Sequence, residues 1–158
     1  SVRQNLTKQV HQKTSTTKAT TPQPKVNSLL VPSMLLDTPV LEGSLNGRYK
    51  TLDHGIWRWP LGSTPDKGGN TVLIGHRFTY TNPRGVLYFL DKVQVQDEIG
   101  VVWNGTNYTY RVTSIREVPP TETSIQDATS DAQLTIFTCT PLWQPKDRLV
   151  VVAKLEGA

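Results

Sequence analysis

Leu134-Thr135-Ile136-Phe137-Thr138-Cys139-Thr140-Pro141 is an apolar, β-branched run that ends on the only cysteine of the chain. Nine residues later Arg148 opens a second such run, Leu149-Val150-Val151-Val152-Ala153. Two strands joined by the connection from Thr140 to Asp147 would place the last residue of one beside the first residue of the other, at one rim of a sheet. A lone thiol and a guanidinium would then share a mouth. A third buried strand, Thr71-Val72-Leu73-Ile74-Gly75-His76, is expected from its length and β-branching, and it delivers His76 to its own end.

Working outward from these runs, short strands are expected at Leu29-Leu30-Val31-Pro32 and at Leu35 to Leu41, both broken by prolines as at sheet edges. Asn46 is a candidate cap for a short helix through about Asp53, closed by Gly55. Trp57-Arg58-Trp59-Pro60 and Gly62 to Asn70 read as a loop dense in turn residues. Val86 to Leu90 is too short to assign as strand or helical turn. Glu98–Trp103 and Tyr108–Val118 flank Asn104-Gly105-Thr106-Asn107, a strong hairpin signal, and Ser124 is placed to start a short helix. At least seven strands with little helix argue for an all-β barrel or sandwich.

The chain has 158 residues, the size of one domain with a tail. Its net charge of +4 is unevenly spread. Residues 1–27 carry Arg3, Lys8, Lys13, Lys18 and Lys25 and no acid, while the other twelve basic residues meet all thirteen acidic ones, leaving 28–158 slightly negative. A basic nucleic-acid face is therefore not supported. Residues 1–27, rich in Thr, Lys and Pro, read as a basic linker or tail, and 28–158 as the folded domain. Such a tail would favour an anionic membrane or wall surface, or would lie across a cleft as a cover.

A single cysteine forms no intramolecular disulfide, so cysteine use leaves the compartment open. No run of about 18 apolar residues is present, and the chain reads as soluble. The start at Ser1 is read as a trimmed or mature form with an anchor upstream.

The thiolate is the nucleophilic form of cysteine, and a neighbouring imidazolium or guanidinium favours it. His76, Cys139 and Arg148 supply those groups at expected strand ends. Spacing alone leaves the bland alternative open: a small core cysteine, a turn histidine and a solvated arginine.

Further residues carry a resemblance. Thr135-Ile136-Phe137-Thr138-Cys139 resembles the Thr-Leu-x-Thr-Cys signature of sortases, cysteine transpeptidases of the bacterial cell surface, with Ile136 in place of Leu. Gly69-Asn70 through Gly75-His76-Arg77 resembles their histidine segment, and Asp147-Arg148-Leu149-Val150-Val151 their arginine strand. With the early Leu30-Val31-Pro32 strand, Pro39-Val40 and the Asn-Gly hairpin, the likeness spans roughly residues 28–156.

The resemblance implies an all-β, eight-stranded sortase-type barrel with short helices in its connections. It implies Cys139 as nucleophile, His76 as acid and base and Arg148 as the cationic partner, with Thr138 and Thr140 contacting substrate; Trp143 is expected to bind substrate from its place in the loop between Cys139 and Arg148. The implied reaction cuts a Leu-Pro-x-Thr-Gly-like sorting signal between Thr and Gly through a thioester. The acyl group then passes to an amine, anchoring surface proteins to the wall. Expected partners are sorting-signal proteins and an amine acceptor from a wall precursor or a pilin, with the protein a monomer at the outer face of the plasma membrane.

No cofactor is expected, and no metal, because Glu117, Glu122, Asp127 and Asp131 lack ligand-like spacing. No Asp-Pro-aromatic lid motif occurs in residues 1–60, which lowers a pilin-polymerising reading and leaves a class D or E type. The alternative from another class is a catalytically silent, peptide- or wall-binding barrel. The four tryptophans are read as packing residues, with Trp143 the candidate exception, and His11 and His54 as surface residues.

Overall fold

Eight strands close into a barrel in the spatial order β1-β2-β3-β4-β7-β8-β6-β5. A computed structural model describes residues 26–77, 85–139 and 147–157. The strands are β1 (Ser28–Val31), β2 (Leu36–Leu41), β3 (Ile56–Arg58), β4 (Asn70–His76), β5 (Glu98–Trp103), β6 (Thr106–Val118), β7 (Gln133–Cys139) and β8 (Arg148–Gly157). One short helix, α1 (Arg48–Leu52), and 3-10 turns at Pro32–Met34, Pro65–Lys67, Leu90–Lys92 and Thr123–Gln126 fill connections. Among the described residues, no helix is long and apolar enough to cross a membrane. The basic tail expected over residues 1–27 lies outside the described residues except for Val26 and Asn27.

The β5–β6 hairpin follows from its turn. Asn104 and Gly105 both take positive φ, 47° and 83°, which matches the right-handed twist of the flanking strands and lets Trp103 pair with Thr106. The turn is therefore two residues long, and β6 begins at Thr106, two residues before the expected Tyr108. Two further details differ from expectation, and one left open is resolved. Trp57 and Arg58, read as loop, form with Ile56 a strand that pairs with Val40–Leu41 on one side and Leu73–Ile74 on the other. Val86 to Leu90 is mainly turn and leads into the 3-10 turn at Leu90–Lys92. Finally, α1 is capped at Gly47 rather than Asn46 with no side-chain cap bond, and the Gly47 N–H turns back to the Ser44 carbonyl and hydroxyl, each at 3.1 Å.

Alternation along each strand sends side chains to opposite faces. Leu29, Leu73, Ile99, Tyr110, Leu134, Ile136 and Val151 fill the barrel interior. A second cluster occupies the outer face of β3, β4, β7 and β8: Trp57, Val72, Ile74, Phe137 and Val150, covered by Leu52 of α1, Val118 and Ile125. Both faces of β4 are thus buried, which is why its sequence is a continuous apolar run and not an alternating one.

The buried Asn70 side chain pins this outer layer. Its amide donates to the Ile125 carbonyl at 3.2 Å and the Asp127 carbonyl at 2.9 Å, and its oxygen accepts from the Thr135 hydroxyl at 2.7 Å. Asn70→Ala strands all three partners and is expected to cost about 2–3 kcal/mol of unfolding free energy. The urea midpoint checks this, and a loss below about 0.5 kcal/mol would show that water replaces the amide.

Candidate active site

β4 and β7 run parallel in unbroken register, from Asn70 opposite Gln133 to His76 opposite Cys139. Paired residues of neighbouring strands point to the same face. His76 and Cys139 therefore end side by side on the outer face, next to the second apolar cluster, against which Cys139 packs. β8 lies antiparallel to β7 with Phe137 opposite Val150, and carrying that register two residues further sets Arg148 across from Cys139. On its other side Arg148 pairs with Val118 of β6.

Arg148 is held on that face by Phe137, its guanidinium carbon standing 5.2 Å from the ring centre. Its buried Nε has no hydrogen-bond partner among the described residues. A buried donor of this kind is costly unless something accepts from it, and the mouth of the site is where a ligand would do so. The buried Thr138 hydroxyl accepts the Leu149 N–H at 3.0 Å, tying β7 to β8 between Cys139 and Arg148. That hydroxyl thus has a structural task as an acceptor within the fold. Thr140 and Trp143, the other expected substrate-binding positions, lie outside the described residues.

The main chain of His76 is clamped from the side opposite β7. Its carbonyl accepts the Leu87 N–H at 2.9 Å, and the Arg77 carbonyl accepts the Gly85 N–H at 2.9 Å. Gly75 precedes the histidine because a Cβ there would sit 2.9 Å from each of Ile56, Val86 and Leu87. Gly85 is tighter still: a Cβ would lie 2.3 Å from the His76 carbonyl oxygen.

On the imidazole, Nε2 stands 3.6 Å from Asp53 Oδ1, while the buried Nδ1 has no hydrogen-bond partner among the described residues. Burial lowers the pKa of His76 below its usual 6.5, opposed by the Asp53 carboxylate and by the Cys139 main chain. Burial also raises the Cys139 thiol, opposed by the guanidinium groups of Arg148 and Arg48. Both shifts favour the neutral thiol and imidazole at rest.

Asp53 and Arg48 were not singled out from the sequence. The helix carrying them was, but no spacing rule connects residues 48–53 with a strand end at 76 or 139. The remaining expectations are mostly structural in outcome. Trp57 and Trp103 are buried and Trp59 packs edge-on against Trp57 at 5.7 Å, which bears out their packing role. His54 is exposed, and His11 lies outside the described residues. Glu122 accepts a hydrogen bond from Ser124, and Asp131 lies 3.7 Å from Lys154. Among the described residues no group of three or more His, Cys, Asp and Glu is arranged to hold a metal ion.

Gly85→Ala is expected to push the His76 strand end away, costing about 1–3 kcal/mol and shifting the His76 imidazole resonances. Gly157→Ala, where an added Cβ meets nothing within 4 Å, is the neutral control. Unmoved His76 resonances in Gly85→Ala would refute the clamp.

The chain is similar to known proteins over nearly all of the described barrel. The family model described as the Sortase domain matches residues 29–156. Sortase A of Bacillus anthracis is 28% identical over 133 residues, covering 84% of this chain and 60% of that protein. The chain thus spans well under two thirds of that relative's length. Among solved structures, the Clostridium perfringens Sortase D5 transpeptidase superposes with a TM-score of 0.71 at 26% identity, covering 93% of this chain and 89% of its own. Listeria monocytogenes sortase A does so with a TM-score of 0.66 at 28% identity, covering 83% and 86%. With an eight-stranded barrel of the sortase type and a family match across residues 29–156, the chain belongs to the sortase family.

Proposed function

We propose that this protein is a cysteine transpeptidase of the bacterial cell surface, with Cys139 as nucleophile, His76 as general acid and base, and Arg148 as the cation that holds the reacting carbonyl. The observation that carries this reading is the register that ends β4 and β7 on His76 and Cys139 together, with Arg148 opening the adjoining strand. A structural role alone would not require a histidine, a cysteine and an arginine to converge at one rim.

The Cys139 thiolate attacks the Thr carbonyl of a Leu-Pro-x-Thr-Gly-like signal. Negative charge moves to the carbonyl oxygen, where the Arg148 guanidinium and a main-chain N–H near Thr138 or Thr140 receive it. Collapse breaks the Thr–Gly bond as His76 donates its proton to the departing Gly amine, leaving a thioester on Cys139. An incoming amine then loses a proton to His76, attacks the thioester, and releases Cys139 with a new amide formed. The clients are surface proteins bearing the signal, and the acceptor is an amine of a wall precursor or a pilin.

Because burial lowers His76 and raises Cys139, the reactive pair of imidazolium and thiolate is a minor form at neutral pH. Below the His76 transition both groups are protonated; above the Cys139 transition both have lost their protons. The pH profile of kcat/KM is therefore expected to be a broad, low bell, with its acid limb below pH ~6.5 and its basic limb above ~8.5. A narrow optimum with both limbs between those values would contradict the burial shifts.

Cys139→Ala should abolish cleavage of a sorting peptide while leaving the thermal midpoint close to that of the parent. Undiminished cleavage would sink the mechanism. Arg148→Lys should lose about a hundredfold or more in kcat/KM, since an ammonium does not reproduce a planar fork of donors at a developing oxyanion. Mass spectrometry of the products with and without an added amine distinguishes transfer from hydrolysis.

A further inference from the structure

Both ends of the contact between α1 and His76 are built in place. Leu52 buries α1 in the outer cluster, and the Asp53 N–H donates to the Tyr49 carbonyl at 3.0 Å. The segment before the helix is pressed against it: a Cβ on Gly43 would lie 2.2 Å from Thr51 Oγ1, and the Gly43 carbonyl accepts the Trp57 indole N–H at 3.0 Å. His76 is held between β7 and Leu87. Two anchored main chains thus bring a carboxylate to 3.6 Å from Nε2 of an imidazole whose other nitrogen has no hydrogen-bond partner among the described residues.

We infer that Asp53 is a positioning residue for the reaction, orienting the His76 imidazole and stabilising its protonated form; this rests on the transpeptidase reading above. Asp53 acts through His76 and need not touch substrate. At 3.6 Å the contact is an ion-pair distance longer than a hydrogen bond, and the carboxylate is largely exposed. Its effect is therefore a modest bias on a largely buried ring.

The same helix carries the complementary charge at its other end. Arg48 opposes the effect of burial on the Cys139 thiol, as Asp53 opposes it on His76. A five-residue helix and its C-cap residue thereby favour both charged members of the proposed reacting pair. Among the described residues, Asp53 and the Cys139 main chain act on His76, while Arg148 from β8 and Arg48 from α1 act on the neighbouring Cys139. Arg77, the next residue in the chain, lies 3.7 Å from Asp91.

The test uses the full chain with Asp53→Asn and Asp53→Glu. His76 is titrated by NMR in a Cys139→Ala background, which needs no substrate. Asp53→Asn should lower the His76 midpoint by a few tenths of a pH unit, the size expected for an exposed pair, and Asp53→Glu should restore it. In the intact enzyme, Asp53→Asn should lower kcat about two- to fivefold with KM nearly unchanged, and move the acid limb of the profile to lower pH by the same interval. A His76 midpoint that stays in place in Asp53→Asn overturns the inference. So does a kcat loss as large in Asp53→Glu as in Asp53→Asn. Absence of peptide cleavage by the unsubstituted protein would count against the transpeptidase reading, while the titration in the Cys139→Ala background still decides whether Asp53 and His76 are coupled.

Discussion

The parallel register of β4 against β7 is the constraint on which the site depends. Seven consecutive residue pairs fix how far one strand reaches relative to the other, and the last pair is His76 with Cys139. A slip of one residue would turn every side chain of one strand to the opposite face. Such a slip is opposed on both faces, because Leu73, Leu134 and Ile136 belong to the barrel interior while Val72, Ile74 and Phe137 belong to the outer cluster. Asn70 locks the start of the strand pair through the Thr135 hydroxyl, so the register is pinned by a buried polar contact at one end and sets His76 beside Cys139 at the other.

Burial and reactivity pull against each other at that end. The apolar cluster that secures the register also surrounds the thiol and the imidazole with low dielectric, and each is driven toward its neutral form. The charges that oppose this come from elements outside the β4–β7 pair: Arg148 from β8, and Arg48 and Asp53 from α1. Arg148 is itself partly buried and rests on Phe137, so the residue that packs the cluster also supports the cation. The site is consequently a product of the outer layer as much as of the barrel.

Close approach explains why small residues flank the histidine. Gly75 leaves room for Ile56, Val86 and Leu87, and Gly85 lets the returning chain meet the His76 carbonyl. Thr138 performs a related task on the other strand, where its hydroxyl takes the place of a ladder partner for Leu149. The motif residues around His76 and Cys139 are thus largely explained by packing and hydrogen bonding. This separates them from the three side chains at the rim to which chemistry is assigned.

Much of the barrel was legible from local pattern. Period and β-branching located β4, β7 and β8, Asn104-Gly105 located the hairpin, and the strand ends named His76, Cys139 and Arg148 because a residue at the end of a buried run must emerge at a rim. The two departures in secondary structure have a common cause. Ile56–Arg58 is a three-residue strand whose pairing comes entirely from β2 and β4, and α1 begins after a turn in which the Gly47 N–H meets the Ser44 carbonyl. Neither leaves a periodic signal in so short a segment. Tertiary structure alone decided that α1 lies over the outer face and brings Asp53 to His76, since residues far apart in the chain meet there only through the burial of Leu52 and the close contact of Gly43 with Thr51. Sequence by itself determined which residue types stand at the strand ends; packing of the outer layer determined which charges surround them.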